Sequence, residues 1–251
     1  MWGRRRTNRR ELLRILAASA PAVAGIGLWP STLLAQAEGA GLIAANVCHL
    51  TPELTEGPFY MDPHLVRSDI REDRGGVPMT MRMQVVTADC RPIKGARVDL
   101  WHCDAQGNYS GFANQGSRST RGETFLRGTQ ISGDGGEVAF QTIFPGWYRG
   151  RTTHIHFKVI LGRDEALTGQ IFFPDSLSQY VFENAAQYGR SAEQDTTNAD
   201  DWIAIEAGEG AYASVSDRSD GYDASLVVAV DYASDHAAYE TPHPQRELVR
   251  A

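Results

Sequence analysis

Basic side chains are in short supply. The 251 residues hold 24 Lys and Arg against 31 Asp and Glu, a formal charge of −7 with histidine neutral. Six of those arginines and one glutamate fall in residues 1–37, so the remainder carries 18 basic and 30 acidic side chains and a net charge near −12. Such a surface repels phosphate backbones and anionic headgroups, which excludes nucleic acid and lipid surfaces as expected partners. Cysteine is scarce too: Cys48, Cys90 and Cys103 are the three, with no Cys-x-x-Cys among them. That spacing offers no zinc ribbon or dithiol motif, and it suits one disulfide plus one free thiol, with the pairing open. After residue 37 no apolar run reaches the roughly 20 residues a membrane span needs. Helical periodicity is also thin, with 175–188 the one stretch suited to a short helix.

What is present begins with an N-terminal targeting segment over residues 1–37. Arg4, Arg5, Arg6, Arg9 and Arg10 precede an apolar stretch from Ile15 to Leu34, broken by Pro21 and Pro30, and Ala35-Gln36-Ala37 has the small residues of a cleavage site. Residues 8–14, Asn-Arg-Arg-Glu-Leu-Leu-Arg, resemble a twin-arginine signal. An ordinary secretory signal and a retained anchor are the alternatives. The expected location is periplasmic or extracellular, and the twin-arginine route suits a protein that takes up its metal before export.

The rest divides into a leader and pocket-lining loop over 38–78, a β domain over 79–235 and a tail over 236–251. Met79, Met81, Met83 and Val85 alternate with polar or small residues, and further alternating or apolar runs occur at 97–102, 124–129, 137–143, 154–159, 169–173 and 224–230. Turn formers separate them, as in Ser132-Gly133-Asp134-Gly135-Gly136. Six or seven short strands with long loops predict an all-β fold, a β-sandwich of mostly antiparallel strands. The Gly-rich segment 107–122 reads as an exposed loop.

Chemistry concentrates in residues 145–159. His154 and His156 flank Ile155 on a predicted strand, where residues two apart share a face and two imidazoles can meet one metal ion. Alone, His-x-His is as compatible with ordinary histidines. Tyr109 and Tyr148, both in turn-rich contexts, add phenol oxygens. Phenolate is a hard anionic donor, and a set of two phenolates and two imidazoles suits ferric iron better than zinc or copper, which recruit a third His or a Cys.

The ordered motifs Trp101-His102-Cys103-Asp104-Ala105 with Gly107-Asn108-Tyr109-Ser110, then Pro145-Gly146-Trp147-Tyr148 with Arg151-Thr152-Thr153-His154-Ile155-His156-Phe157, resemble the intradiol ring-cleavage dioxygenases. The resemblance extends to 51–60 and 220–223, and it is nearest to the exported branch of that family. It implies a non-haem Fe(III) centre held by Tyr109, Tyr148, His154 and His156. Tyr148 is then the tyrosinate that leaves on substrate binding, Arg151 an electrostatic stabiliser and Gln170 its neighbour. Gly57, Pro58, Tyr60, Trp101 and Trp147 become candidates for the substrate pocket. The implied substrates are a small aromatic diol and O2, the product a cis,cis-muconate-type dicarboxylate, and the chain a possible homo-oligomer. Two departures stand out: the helical dimerisation segment of intracellular catechol enzymes has no counterpart in the matched motifs, and only a short loop separates Tyr148 from His154. A catalytically silent β-sandwich that binds metal or aromatics, and a zinc or copper enzyme reusing the histidine pair, are the competing readings.

Overall fold

The computed structural model describes residues 49–231 apart from 63, 117, 191 and 192, all within the compact unit Ala37–Ala251. The expected targeting segment over 1–37, Cys48 and the expected tail from residue 236 lie outside the described residues. Among the described residues eight strands form two sheets. Strands β1 (Pro78–Thr87), β4 (Glu137–Ile143), β7 (Ser214–Arg218) and β8 (Gly221–Val230) make one, in the order β4-β1-β8-β7. Strands β2 (Arg97–Trp101), β3 (Arg127–Ile131), β5 (His154–Leu161) and β6 (Asp164–Phe172) make the other, in the order β3-β2-β5-β6. Only β1 and β8 run parallel; the other neighbours are antiparallel. Helices α1 (Asp175–Asn184) and α2 (Trp202–Ala207) lie in the connection from β6 to β7. The all-β sandwich is as expected. Among the described residues no helix is long and apolar enough to cross a membrane.

The period-2 pattern decides what each face does. Met79, Met81, Met83 and Val85 of β1 share one core with Ala224, Leu226 and Val228 of β8 and with Val98, Leu100, Ile155, Phe157 and Val159 of the opposite sheet. With its odd positions in that core, β5 must turn His154, His156 and Lys158 to the other face. The same alternation gives β2 Asp99 and Trp101, β3 Arg127 and Thr129, and β6 Thr168 and Gln170 on that outer face. In register, Arg127 pairs with Trp101, Trp101 with His156 and His156 with Gln170, a row across all four strands. Neighbours in such a row stand roughly 4.7–4.9 Å apart.

Several elements depart from the expectation. Strand β3 starts at Arg127, because Leu126 turns with φ +54° and donates its N–H to the Ile70 carbonyl. Strand β6 is longer than 169–173, and β7 and α2 were not expected at all. The loop 107–122 is not uniformly exposed: Tyr109, Ser110, Gln115 and Thr120 are buried. Cys90 is disulfide-bonded and Cys103 is a buried free thiol.

Gly169 is required by packing. It pairs with Phe157, and a Cβ there would come 2.3 Å from the Phe157 ring. Replacing Gly169 with Ala is therefore expected to cost about 1–3 kcal/mol through overpacking, measured by urea unfolding; an unchanged midpoint would contradict this packing.

Candidate functional site

The outer face of β5 would expose two imidazoles to water if nothing covered it. Three loops do so, and His154 and His156 are each only 2% exposed. The loop after β2 brings Tyr109, the loop after β4 brings Tyr148 and Arg151, and the segment ahead of β1 lays Gly57 and Phe59 across the top. Gly57 has φ +70°, and a Cβ there would lie 3.3 Å from Cε1 of His156, so any side chain would press on the ring. Phe59 stacks on Tyr109 with centroids 4.4 Å apart, and Trp101 stacks on His156 at 5.0 Å and 8°.

Four donor atoms converge. Nε2 of His154 lies 3.1 Å from Nε2 of His156, 3.1 Å from the Tyr148 hydroxyl and 3.4 Å from the Tyr109 hydroxyl. The His154 tautomer is set from behind. Its Nδ1 is 2.7 Å from the Thr152 carbonyl, which only accepts, so Nδ1 carries the proton and Nε2 presents a lone pair to the cluster. One lone pair cannot serve all these neighbours. Ligands at about 2.0–2.2 Å from a shared ion stand at comparable mutual distances, so the donor set fits a metal ion. The other ring nitrogen of His156, Nδ1, is buried and points away from this set.

Charge states follow from burial. Burial first, then the Arg151 guanidinium, lowers His154 to about 3, and burial followed by His154 holds His156 well below its ordinary value. Both imidazoles are thus neutral and able to donate lone pairs at pH 7. In the metal-free protein burial pushes Tyr109 well above 10, with Tyr148 adding to it. Burial also raises Tyr148, and Arg151 partly opposes the rise. A bound cation reverses that direction, because it favours the phenolate.

Arg151 is held on two sides. Its Nε donates to Asp201 at 2.8 Å and its Nη2 to Oε1 of Gln170 at 2.6 Å, which leaves Nη1 3.4 Å from Nε2 of His154. Gln170 in turn donates to the Thr55 carbonyl at 2.9 Å. Burial pushes the Asp201 carboxyl up, but the Thr152 N–H and Arg151 more than offset this and hold it below the usual range.

The structure therefore brings Tyr109, Tyr148, His154, His156, Arg151 and Gln170 together, with Gly57 and Trp101 against the His156 ring. Pro58 follows Gly57 and is exposed. Tyr60 leans on Trp101 at 4.9 Å while its hydroxyl donates to Asp99 at 2.9 Å. Trp147 is placed otherwise: its ring lies under the Arg190 guanidinium at 4.0 Å, on the side of the cleft toward α1, and not against the four donors. Sequence reasoning missed Phe59, Thr55 and Asp201. An N-cap aspartate before Trp202-Ile203-Ala204 was a signal for α2, but nothing local links Asp201 to a residue fifty positions earlier.

A β-sandwich whose sheet carries two imidazoles and whose loops add two phenols presents a mixed oxygen and nitrogen donor set. Comparison with known proteins makes the class specific. A family model described as Dioxygenase matches residues 52–204. The solved intradiol ring-cleavage dioxygenase from Tetranychus urticae is 33% identical, the match covering 73% of this chain and 95% of that one with a TM-score of 0.67. The dioxygenase domain of a dioxygenase carbohydrate-binding protein fusion from Streptomyces sp. SirexAA-E is 26% identical over 74% of this chain and 100% of that one, TM-score 0.54. Catechol 1,2-dioxygenase 1 of Acinetobacter lwoffii is 29% identical over 143 residues, 48% of this chain and 45% of that protein. The chain spans about half the length of the curated relatives it matches. It belongs to the intradiol ring-cleavage dioxygenase family.

The buried imidazoles make a pH prediction. His102, whose Nε2 lies 2.7 Å from the Thr142 hydroxyl, is lowered by burial to about 4, and His154 and His156 lie in the same direction. In the unfolded chain these groups take up protons near pH 6.5. The unfolded state therefore binds more protons as pH falls from about 6.5 toward 4, and the metal-free protein loses up to about 1.4 kcal/mol per pH unit for each imidazole. Urea unfolding at pH 7 and pH 5 measures this; equal stabilities would contradict neutral burial.

Proposed function

We propose that this protein is an Fe(III)-dependent intradiol dioxygenase that uses O2 to open catechol-like rings between the two hydroxyl-bearing carbons, giving cis,cis-muconate-type dicarboxylates. The observation that carries the proposal is the convergence of the Tyr109 and Tyr148 hydroxyls and the His156 Nε2 on Nε2 of His154 at 3.1–3.4 Å. Tyr109, Tyr148, His154 and His156 would hold the iron. When bound, it supplies Lewis acidity, a template for the diol and a route around the spin barrier to O2.

The chain's own groups have distinct tasks. Tyr109, 1% exposed and stacked under Phe59, is fixed and suits a ligand that stays. Tyr148 is less buried and rides on the short loop ahead of β5, so its phenolate oxygen can take a substrate hydroxyl proton and yield its place. Arg151 keeps one guanidinium edge toward the reacting atoms, where a fixed cation stabilises charge developing on the ring oxygen and carbon. Gln170 holds that guanidinium from the strand side. The Gly57 backbone packs against His156 and Trp101 backs the same ring, which holds it in place, and Pro58 and Tyr60 are the candidates nearest the substrate. We place the enzyme outside the cytoplasm, supported by the basic, apolar and small-residue pattern of residues 1–37.

The iron-loaded protein is expected to be coloured by tyrosinate-to-iron charge transfer and to consume O2 with at least one of catechol, hydroxyquinol, protocatechuate or their chlorinated and methylated forms. A colourless iron-loaded protein would overturn the ligand assignment. A coloured protein inert toward every one of these diols would favour a metal- or aromatic-binding role instead. Partners of a ligand typically matter by 10–100-fold, so replacing the ligand itself, as in Tyr148→Phe, is expected to lower kcat by more than about 100-fold and to shift the absorption band; an unmoved band would remove Tyr148 from the set.

A further inference from the structure

Asp201 joins two elements, the loop ahead of β5 and α2, through one carboxylate. Its Oδ2 accepts from Nε of Arg151 at 2.8 Å and from the Thr152 N–H at 3.0 Å, while Oδ1 accepts from the Ile203 N–H at 3.0 Å and so caps α2. The Asp201 side chain is fully buried and that of Arg151 is 13% exposed. Helix α2 is itself seated: Ile203, Ala204 and Ala207 pack with Phe172 and Leu54 on the outer side of β6. The carboxylate is therefore anchored to the same sheet that carries the histidines.

The consequence falls on Arg151. A long, flexible side chain has many rotamers, and only directed contacts single one out. With Nε on Asp201 and Nη2 on Gln170, the guanidinium plane is fixed from two sides. Nη1, 3.4 Å from Nε2 of His154, is the edge left facing the four donors. Gln170 alone is neutral and would leave the plane free to swing about a single contact. The opposite charge on Asp201 also offsets the cost of keeping a guanidinium largely out of water.

We infer that Asp201 is a positioning residue for ring cleavage, acting through Arg151 by holding its guanidinium so that Nη1 faces the substrate. This rests on the activity proposed above.

Asp201→Asn tests it. Asparagine caps a helix as well as aspartate, but its side chain has one oxygen where the carboxylate has two, so it cannot both cap α2 and hold Arg151. Asp201→Ser, which also caps, is the second variant if the first folds poorly. Iron content per chain and thermal midpoint are read first, and rates are compared per bound iron. Both variants are expected to lower kcat by about 10- to 100-fold, as a misaimed catalytic group does, with KM changed by less than about 3-fold. In an Arg151→Ala background the same substitution is expected to change kcat by less than about 3-fold, because the group it aims is gone. An unchanged kcat per iron, or an equal loss in both backgrounds, would overturn the inference. A wild-type protein that cleaves no catechol defeats the underlying activity instead, which separates the two failures.

Discussion

The alternation of β5 is the constraint on which the site depends. Ile155, Phe157 and Val159 are each fully buried in the sandwich core, and the pleat leaves His154 and His156 no orientation but the opposite face. A one-residue slip would bury the imidazoles among methionines and send three apolar side chains out, so the energy that holds the core also holds the histidine pair. The neighbouring strands obey the same rule, which is why Arg127, Trp101, His156 and Gln170 form a row. The face that carries the candidate donors is in this sense the back of a hydrophobic face.

That face functions only because it is covered. Burial keeps both imidazoles neutral and turns two phenols into groups that ionise only for a cation. Most of the covering backbone is irregular and must find its hydrogen bonds from side chains or the sheet. Thr51 and Leu54 donate to Ala229 and Thr168, Arg67 reaches the Thr124 and Arg127 carbonyls, and Asp201 receives two backbone N–H groups. Arg151 belongs to this economy. A guanidinium held by Asp201 and Gln170 is a fixed charge, and a fixed charge is worth more at a reacting atom than one that must reorganise.

The sandwich and the four side chains that converge on its outer face were largely legible in the sequence because both are written in local patterns. Alternation marked β1, β2, β4 and β5, and His154-x-His156 with Tyr109 and Tyr148 stood in an ordered set of motifs. What was not legible depends on distant partners. Strand β7, Ser-Val-Ser-Asp-Arg, is a mostly exposed edge with no apolar rhythm, and pairing with β8 alone defines it. Helix α2 is six residues long, below the length at which period is informative. Tyr109 looked like a solvent-exposed loop residue because composition reports polarity and not coverage; Phe59, from a segment fifty residues earlier, buries it. Trp147 carried an aromatic signal near the site, yet Arg190 claims its ring.

The central claim is that this outward face of β5, under its three loops, cleaves a catechol between its hydroxyl-bearing carbons. Reaction of the iron-loaded protein with an accepted catechol under isotopically labelled dioxygen, with mass analysis of the product, tests it most directly. The proposed activity predicts a muconate-type dicarboxylate carrying label from dioxygen in its new carboxyl groups. A ring opened beside the diol to a semialdehyde, or a dicarboxylate without label, would contradict it.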